Sequence, residues 1–478
     1  MRPVNNFDLD KHVENINRAR EALDYPRRDW VRSRKSSTGA NIFDCLIIGG
    51  GQSGLGVGFG LMQERVKNIL VIDENNVENE GPWNTFARMP TLRTPKYLTG
   101  LDYGNPQLTF QAYFEAKYGN EAFLKISLIP TAEWAQFLSW YRKVLDIPVQ
   151  NQTRARLIRF NAQEKCLEVT CQCQEQEKIF MTRTLVLANG IDGSGQWSIP
   201  RLIKNILPQD RFAHTRQNIN FKHLINQNIG ILGAAASAFD NAIMALEAGA
   251  SSVHLFSRRS PLPDINPYRW AEFVGFLKHH ADLNDEERWR FINHILAMGQ
   301  LPPKATFECA NALPNFHLHI GELWRDLKMV DGKVHVITNT NNYLFDFLII
   351  GTGFVTDLSL RPELSLLKEH IALWRDKFKP AYDETNEELA QYPYLGANFE
   401  FLEKSVGEAP YLKSIFCYNF GCLASLGLGG GSISGLKYSL PKVVAGVTKQ
   451  LFCDDAAYYL DDLRQYNATE YELIRAPL

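Results

Sequence analysis

The feature that most constrains the fold of this chain is an apolar strand that ends on a glycine turn and leads into a helix. The apolar residues 44–48 stop at Gly49, and Gly51 and Gly54 complete the spacing Gly-x-Gly-x-x-Gly. A β-branched run then ends in Asp73, 24 residues after Gly49. Strand, tight turn, helix and strand in this order are typical of a βαβ unit, so we predict a parallel sheet.

The same unit occurs a second time in the chain. Residues 228–233 form an apolar run that ends on a glycine, residues 234–249 are predicted to be helical, and residues 252–257 are predicted to be a strand. Further strands are predicted at residues 334–338 and 345–351. The repeat predicts an α/β fold with two dinucleotide-binding, Rossmann-like domains.

The first glycine turn has the residues that a dinucleotide requires. Its first glycine permits a tight turn, its second lets backbone amides approach a pyrophosphate, and its third lets the helix lie close to the sheet. An acidic residue after the next strand would bind ribose hydroxyls. The alternative is a glycine-rich turn with a capping carboxylate. The candidate residues of this first site are Gly49, Gly51, Gln52, Ser53, Gly54, Asp73 and Glu74.

The second copy departs from the glycine pattern at one position. Ala235 stands where the pattern prefers glycine, whereas Ala238 is acceptable at the third position. Arginine after the second strand is typical of units that bind the 2′-phosphate, so NADPH is favoured over NADH. The alternatives are an alanine-rich core helix and a solvated basic turn. The candidate residues of this second site are Gly233, Ala235, Ser237, Ala238, Arg258 and Arg259.

Composition and charge exclude several other classes of protein. The 478 residues include 51 Lys and Arg against 53 Asp and Glu, and this net charge of −2 gives no electrostatic basis for binding nucleic acid. The most apolar stretches are interrupted by Gly, Gln and Ser, so we predict no membrane span. The polar, acidic N-terminus is unlike a signal or transit peptide, which favours a cytoplasmic protein. The eight cysteines form no Cys-x-x-Cys pair, and we expect no metal site.

Residues 1–43 are predicted to form an N-terminal helical extension. Val13, Ile16, Ala19 and Leu23 recur at helical spacing, which indicates a surface helix. The sequence leaves open whether this helix binds a partner, and whether the chain forms a homo-oligomer.

Four further segments resemble motifs of one family. These motifs are a Gly-Gly-x-Trp segment, the stretch that follows it, a His-Ser before the second glycine turn, and an Ala-Thr-Gly-Phe/Tyr hinge. The corresponding segments here are Gly81-Pro82-Trp83, residues 92–96 with Arg93, residues 212–215, and a Gly-Thr-Gly-Phe run with Thr352 and Gly353. Through these motifs and the two glycine turns, residues 44–452 resemble the class B flavin-dependent monooxygenases.

The resemblance implies that FAD occupies the first site and NADPH the second, with the NADPH domain inserted into a split FAD domain. Trp83 would lie along the flavin, and Arg93 in the wall of the substrate and flavin cavity. A glycine-rich stretch at residues 421–435 would approach the isoalloxazine, or else form a flexible loop. The implied boundaries are residues 1–43 for the extension, 44–200 and 346–478 for the two FAD-binding parts, and 201–345 for the NADPH domain.

The implied mechanism begins with hydride transfer from NADPH to FAD. Reduced flavin then reacts with O2 to give a C4a-(hydro)peroxyflavin, which oxygenates a soft nitrogen or sulfur centre of a small metabolite. Pro208 and Asp210 replace the Phe and Gly of the Baeyer–Villiger fingerprint, and Gln52 replaces a proline common in N-hydroxylating members. The specific reaction therefore stays open. The alternatives are an NADPH-dependent flavoprotein reductase or oxidase that oxygenates no organic substrate, and a non-catalytic FAD-binding redox regulator.

Overall fold

The computed structural model describes residues 6–23, 28–98 and 100–469. The strands are β1 (Arg34–Lys35), β2 (Asn41–Ile48), β3 (Ile69–Ile72), β4 (Thr91–Pro95), β5 (Leu128–Pro130), β6 (Val149–Gln150), β7 (Thr153–Asn161), β8 (Cys166–Cys173), β9 (Gln176–Leu187), β10 (Gly195–Trp197), β11 (Phe212–His214), β12 (Asn228–Leu232), β13 (Ser252–Ser257), β14 (Phe316–Ile320), β15 (Trp324–Val330), β16 (Lys333–Thr338), β17 (Asn342–Phe345), β18 (Phe347–Ile350), β19 (Phe354–Thr356) and β20 (Ile415–Cys417).

The α-helices are α1 (Asn6–Leu23), α2 (Gln52–Gln63), α3 (Phe110–Tyr118), α4 (Asn120–Lys125), α5 (Thr131–Val144), α6 (Arg201–Ile206), α7 (Ala236–Glu247), α8 (Pro267–Trp270), α9 (Val274–His279), α10 (Asp285–Met298), α11 (Lys304–Ala312), α12 (Trp374–Lys377), α13 (Leu423–Leu426), α14 (Leu436–Asp454) and α15 (Ala456–Gln465). None of the helices in the described ranges combines the length and the apolar character that a bilayer crossing requires.

The first sheet contains the first βαβ unit and receives a strand from the C-terminal part of the chain. Its order is β6-β3-β2-β9-β8-β7, and β20 pairs in parallel with β9. Strands β6, β3, β2 and β9 are parallel, whereas β7, β8 and β9 form an antiparallel extension. Because β20 lies after the second unit in the chain but joins the first sheet, the predicted insertion of one domain into another is confirmed.

The second sheet contains the second βαβ unit and is wholly parallel. Its order is β11-β18-β12-β13-β14. Strand β18 (Phe347–Ile350) lies between β11 and β12, so the boundary expected after residue 345 falls inside the second domain. That expectation was wrong because an apolar run predicts a buried strand without saying which sheet contains it.

The predicted strand at residues 345–351 is divided at Asp346. Strand β17 ends at Phe345 in a three-stranded antiparallel sheet with β15 and β16, and β18 begins at Phe347 in the parallel sheet. The Asp346 carboxylate accepts a hydrogen bond from the Asn228 amide at 2.9 Å. A polar residue thus marks the point where the chain passes from one sheet to the other.

Helix α2 lies against unusually large neighbours along its glycine face. A Cβ built on Gly56 would lie 2.7 Å from the Leu440 side chain, and one on Gly60 would lie 2.2 Å from the Tyr103 hydroxyl. Gly58 faces Ile147 at 3.1 Å. Gly56 and Gly60, each unfavourable in a helix by about 1 kcal/mol, therefore allow close packing against α14 and Tyr103, whereas Gly58 lies against Ile147 and Val71 on the other side of the helix.

The N-terminal helix α1 packs one face onto the first domain. Ile16 is fully buried, and the His12 ring stacks on Trp140 of α5 with 5.7 Å between ring centroids. The Arg20 guanidinium carbon lies 5.7 Å from the centroid of Phe59 in α2. The opposite face is exposed, as expected for a surface helix.

A helical insert of α8 to α11 lies between β13 and β14 in the chain. Its longest helix, α10, begins with a capping box, in which Asn284 accepts from the Glu287 amide at 2.9 Å. Trp289 of this helix is buried and donates to the Glu384 carbonyl at 2.9 Å. The insert thus connects the second domain to the C-terminal part of the first.

Three histidines meet on neighbouring strands of the second sheet. His254 on β13 has its Nδ1 3.0 Å from the His319 Nε2, and its ring centroid lies 4.4 Å from that of His317. Burial, followed by the charges of His317 and His319, lowers the pKa of His254 from 6.5 to about 4. The folded state therefore binds a proton on His254 less readily than the unfolded chain does.

We predict that this cluster makes the second domain acid-sensitive. Because the pKa is depressed on folding, its stabilising contribution is complete above pH 6.5 and is lost as the pH falls towards 4. Between pH 8 and pH 5, wild type should lose more free energy of unfolding than His254→Gln, by at most about 1 kcal/mol because solvent screens a half-buried ring. Urea denaturation at both pH values measures the difference. Replacing the exposed His223 by Gln should retain the wild-type dependence, and an equal loss in wild type and His254→Gln would contradict the prediction.

Candidate functional site

A cleft of about 2860 Å³ runs between the two domains. It is lined by the first glycine turn, the segment between β3 and β4, parts of α7 and the helical insert, and the glycine-rich stretch before α14. The predicted residues that line it are Gly49, Gly51, Gln52, Ser53, Asp73, Glu74, Trp83, Arg93, Thr352 and Gly353. Among the described residues, the predicted ones outside this lining are Gly54, Gly233, Ala235, Ser237, Ala238, Arg258 and Arg259.

The first turn requires glycine for two separate reasons. Gly49 has φ +110°, and a Cβ there would lie 2.4 Å from the Ala188 carbonyl oxygen. A Cβ on Gly54 would lie 1.8 Å from the Gly49 carbonyl oxygen. A Cβ on Gly51 would come no closer than 3.6 Å to surrounding protein atoms. The space beside Gly51 is therefore open towards the cleft, as a bound pyrophosphate requires.

The second turn has nearly the same backbone as the first. Gly233 has φ +108°, and a Cβ there would lie 2.3 Å from the Gly351 carbonyl oxygen. Ala235 has φ −79° and ψ 170°, close to the φ −73° and ψ −171° of Gly51. An alanine adopts these angles without strain, so the departure from the glycine pattern leaves the turn intact.

Two polar groups in the lining of the cleft suit a bound cofactor. The Nε1 of Trp83 and the Nε of Arg93 are buried, and neither has a hydrogen-bond partner among the described residues. Trp83 packs edge-on against Trp134, which donates from its own Nε1 to the Gln52 side chain at 3.2 Å. Unpaired buried donors beside an open glycine turn fit an anionic, acceptor-rich dinucleotide such as FAD.

Asp73 is held in place by its own neighbourhood. Its carboxylate accepts from the backbone amides of Gly50 and Asn75, each at 2.8 Å. Burial raises the pKa of Asp73, and these hydrogen bonds oppose that rise. Glu74 is exposed and pairs with Arg154 at 3.3 Å. Asp73 keeps acceptor capacity toward the cleft because each carboxylate oxygen has two lone pairs.

The side chains of the two arginines after β13 differ in the contacts that the structure gives them. Arg258 is exposed. Arg259 donates from Nη1 to the carbonyls of Ala297 at 3.3 Å and Met298 at 3.2 Å, at the C-terminal end of α10. A cation at this end of a helix is stabilised by the helix dipole, so Arg259 has a structural role that its sequence position does not reveal.

Arginines of the first domain cross the cleft to the second, and only one of them was predicted. Arg93 Nη2 lies 2.5 Å from the carboxylate of Asp240 in α7. Arg88 donates to the carbonyls of Thr215 and Gln217, each at 2.6 Å. Sequence reasoning missed Arg88 and Asp240 because only the three-dimensional fold brings these segments together.

Thr352 and Gly353 lie where the chain crosses between the domains. Strand β10 pairs with β19 in an antiparallel ladder just outside the second domain. The Thr352 hydroxyl donates to the Ser198 carbonyl, and the Ser198 amide donates to the Gly353 carbonyl at 2.9 Å. The two crossing segments are thus held to each other beside the cleft, and we call this pair of strands the hinge.

The glycine-rich stretch packs directly on the first turn. Ser53 donates from its hydroxyl to the Gly430 carbonyl at 3.2 Å. A Cβ on Gly430 would lie 2.7 Å from the Asn419 backbone nitrogen, so this position also needs glycine. Nearby, Phe354 and Phe420 meet edge to face with 4.7 Å between centroids, and Tyr392 lies 6.4 Å from Phe420. These three rings form an aromatic wall of the cleft.

Comparison with known proteins identifies both the fold and a close relative. Residues 46–276 match the model of the pyridine nucleotide-disulphide oxidoreductase family. The chain is 40% identical over 442 residues to a FAD-dependent urate hydroxylase from Xanthomonas campestris pv. campestris. The match covers 92% of this chain and 93% of that protein.

Solved structures of flavin enzymes share the fold. Ornithine hydroxylase from Pseudomonas aeruginosa matches with a TM-score of 0.68 and 16% identity, over 86% of this chain and 100% of that chain. An ornithine N-hydroxylase from Kutzneria sp. 744, with reduced FAD, NADP+ and L-ornithine, matches with a TM-score of 0.66 and 12% identity, over 86% and 99% of the two chains. Identity this low supports the fold alone.

We predict that Gly51→Val abolishes FAD binding without unfolding the protein. The valine side chain would occupy the space that the pyrophosphate needs, whereas nearby protein atoms leave room for a Cβ. The flavin-to-protein ratio after purification should fall to near zero. Gly51→Ala is the matched control and should retain most flavin, because Ala235 has nearly the same backbone angles. Unchanged flavin content in Gly51→Val would contradict the assignment of this site.

Proposed function

This chain belongs to the class B flavin-dependent monooxygenase family, and we propose that it uses FAD, NADPH and O2 to hydroxylate urate or a closely related oxidised purine. The observation that carries the proposal is the 40% identity to a urate hydroxylase, which extends over nearly all of both chains. Two turns with nearly the same backbone support it, one in each domain, and the first of them lines the cleft. The soft nitrogen or sulfur centre expected from the sequence stays a prediction.

The reaction needs both nucleotides and O2. NADPH, a proton, O2 and the substrate give NADP+, water and the hydroxylated substrate, so one oxygen atom goes to each of the last two products. Bound FAD supplies the chemistry that passes two electrons from NADPH to O2. The turn at Gly49 and Gly51 would hold the pyrophosphate of FAD on the N-terminus of α2, and Asp73 would orient the ribose.

The second domain would present NADPH to the flavin. The turn at Gly233 and Ala235 would hold its pyrophosphate on the N-terminus of α7, with Ser237 and Ala238 in the first turn of that helix. Arg258 would pair with the 2′-phosphate. Thr352 and Gly353 would act in the hinge and would not contact the reacting atoms.

The aromatic wall suits a planar substrate. Phe354, Phe420 and Tyr392 line the cleft beside the glycine-rich stretch. Stacking of a nucleobase on an aromatic side chain contributes about 1–3 kcal/mol, and an apolar wall also excludes water from the reacting atoms. Among these rings, Tyr392 is buried and its pKa is raised by that burial, so its hydroxyl stays protonated at neutral pH.

We predict urate-dependent oxygen transfer by the FAD-loaded enzyme. With ¹⁸O2, urate and NADPH, mass spectrometry should find one ¹⁸O atom in the hydroxylated product, formed in a one-to-one ratio with NADPH consumed. Hydrogen peroxide in place of product, with every purine tested, would favour the oxidase alternative. NADPH that fails to reduce the flavin at all would favour the non-catalytic regulator. Amine and thioether substrates in the same assay test the nitrogen and sulfur prediction.

We also predict that Arg258 selects the coenzyme. A charge-assisted hydrogen bond is worth about 1.5–3 kcal/mol, or about 10-fold to 150-fold in affinity. Arg258→Ala should therefore weaken NADPH binding by at least about tenfold and leave NADH binding and FAD content nearly unchanged. Arg259→Ala is the comparison variant, since its guanidinium contacts α10 carbonyls. Wild type that reduces its flavin equally well with NADH would overturn the coenzyme assignment.

A further inference from the structure

The ion pair between Arg93 and Asp240 joins the walls of the two nucleotide sites. Arg93 is in β4, in the segment after the first βαβ unit, and Asp240 is the fifth residue of α7. Their side-chain atoms are 2.5 Å apart, and the Asp240 side chain is 5% exposed. A buried carboxylate paired with a guanidinium is held in one geometry because separation would leave the charge uncompensated.

Asp240 belongs to the helix whose N-terminus faces the second glycine turn. Other contacts between the domains involve other elements: Trp289 of the helical insert donates to the Glu384 carbonyl, and Arg216, after β11, pairs with Asp192. Arg88 holds the loop at Thr215 and Gln217, immediately after β11. The Arg93–Asp240 pair, by contrast, holds α7 itself, the helix that begins at the second glycine turn.

The chain crosses between the domains at the β10–β19 hinge. A hinge joins two domains but does not fix the angle between them, which is set by contacts elsewhere. We propose that Asp240 is a positioning residue, which fixes the orientation of α7 against the first domain through Arg93 and thereby aligns the bound coenzyme with the flavin. The functional part of this inference depends on the proposed use of FAD and NADPH, whereas the structural part does not.

Hydrogen exchange of the nucleotide-free protein tests the structural part. In Asp240→Asn, amides of β10, β19 and the first turns of α7 should exchange about tenfold faster than in wild type, because loss of the pair frees the hinge. Glu168→Gln is the matched control. Glu168 is 8% exposed and pairs with Arg159 on the neighbouring strand of the same domain, so its loss should leave these amides unchanged. Unchanged exchange in Asp240→Asn would overturn the proposal.

Stopped-flow reduction of the FAD-loaded protein by NADPH tests the functional part. The limiting rate of flavin reduction should fall about 10-fold to 100-fold in Asp240→Asn, since a displacement of about 1 Å can cost that much. The dissociation constant of NADPH should change by less than about threefold, because the pair itself would not contact the coenzyme. A weaker affinity with an unchanged limiting rate would show direct coenzyme binding and overturn the positioning role.

Two further measurements keep the outcomes distinguishable. If Asp240→Asn does not fold, Arg93→Met combined with Asp240→Asn removes the pair without leaving a buried uncompensated charge, and it should show the same faster exchange. If wild-type flavin is not reduced by NADPH, the proposed function fails, and the exchange data alone decide the structural part. Faster exchange with an unchanged limiting rate would show that the pair stabilises the hinge without positioning the coenzyme, which also overturns the proposal.

Discussion

In each βαβ unit, the turn between the first strand and the helix lies very close to a backbone carbonyl of another chain segment. The site depends on this close approach. At Gly49 a Cβ would lie 2.4 Å from the Ala188 oxygen, and at Gly233 it would lie 2.3 Å from the Gly351 oxygen. Both glycines also have positive φ. No other residue satisfies both conditions, so the chain turns sharply at both positions and a helix starts directly after each turn; the first of these turns lines the cleft.

The strands and helices around these two turns are the part of the fold that the sequence could predict. Glycine spacing, apolar runs and the acid after the second strand are local signals, and they located β2, α2 and β3 as well as β12, α7 and β13. The boundary after residue 345 was wrong because apolar residues continue on both sides of Asp346, and composition does not show that they belong to different sheets. The effect of Ala235 on the turn could not be predicted, because the backbone angles that show an intact turn there are absent from the sequence.

At the site, the partners of the long cationic side chains could not be predicted from the sequence. Arg258 and Arg259 are adjacent, yet only the latter reaches the carbonyls at the end of α10, a helix that begins 26 residues later in the chain. Arg93 lines the cleft, and its partner on α7 belongs to the other domain. A flexible side chain of this length finds its partner through tertiary structure, which periodicity does not encode.

The placement of two bound nucleotides would therefore depend on two levels of structure, the turn within each domain and the contacts between the domains. Under the proposed function, each glycine turn would fix a nucleotide within its own domain to the accuracy of a packed backbone. The relation between the two nucleotides, however, is set by the hinge and by side chains that span the cleft, because the inserted domain shares no sheet with the first. Hydride transfer requires the reacting atoms to be about 3–3.5 Å apart, a tolerance narrower than the freedom of an unrestrained hinge. We therefore expect the motifs to determine which nucleotides bind, and contacts such as Arg93 with Asp240 to determine whether the bound nucleotides react.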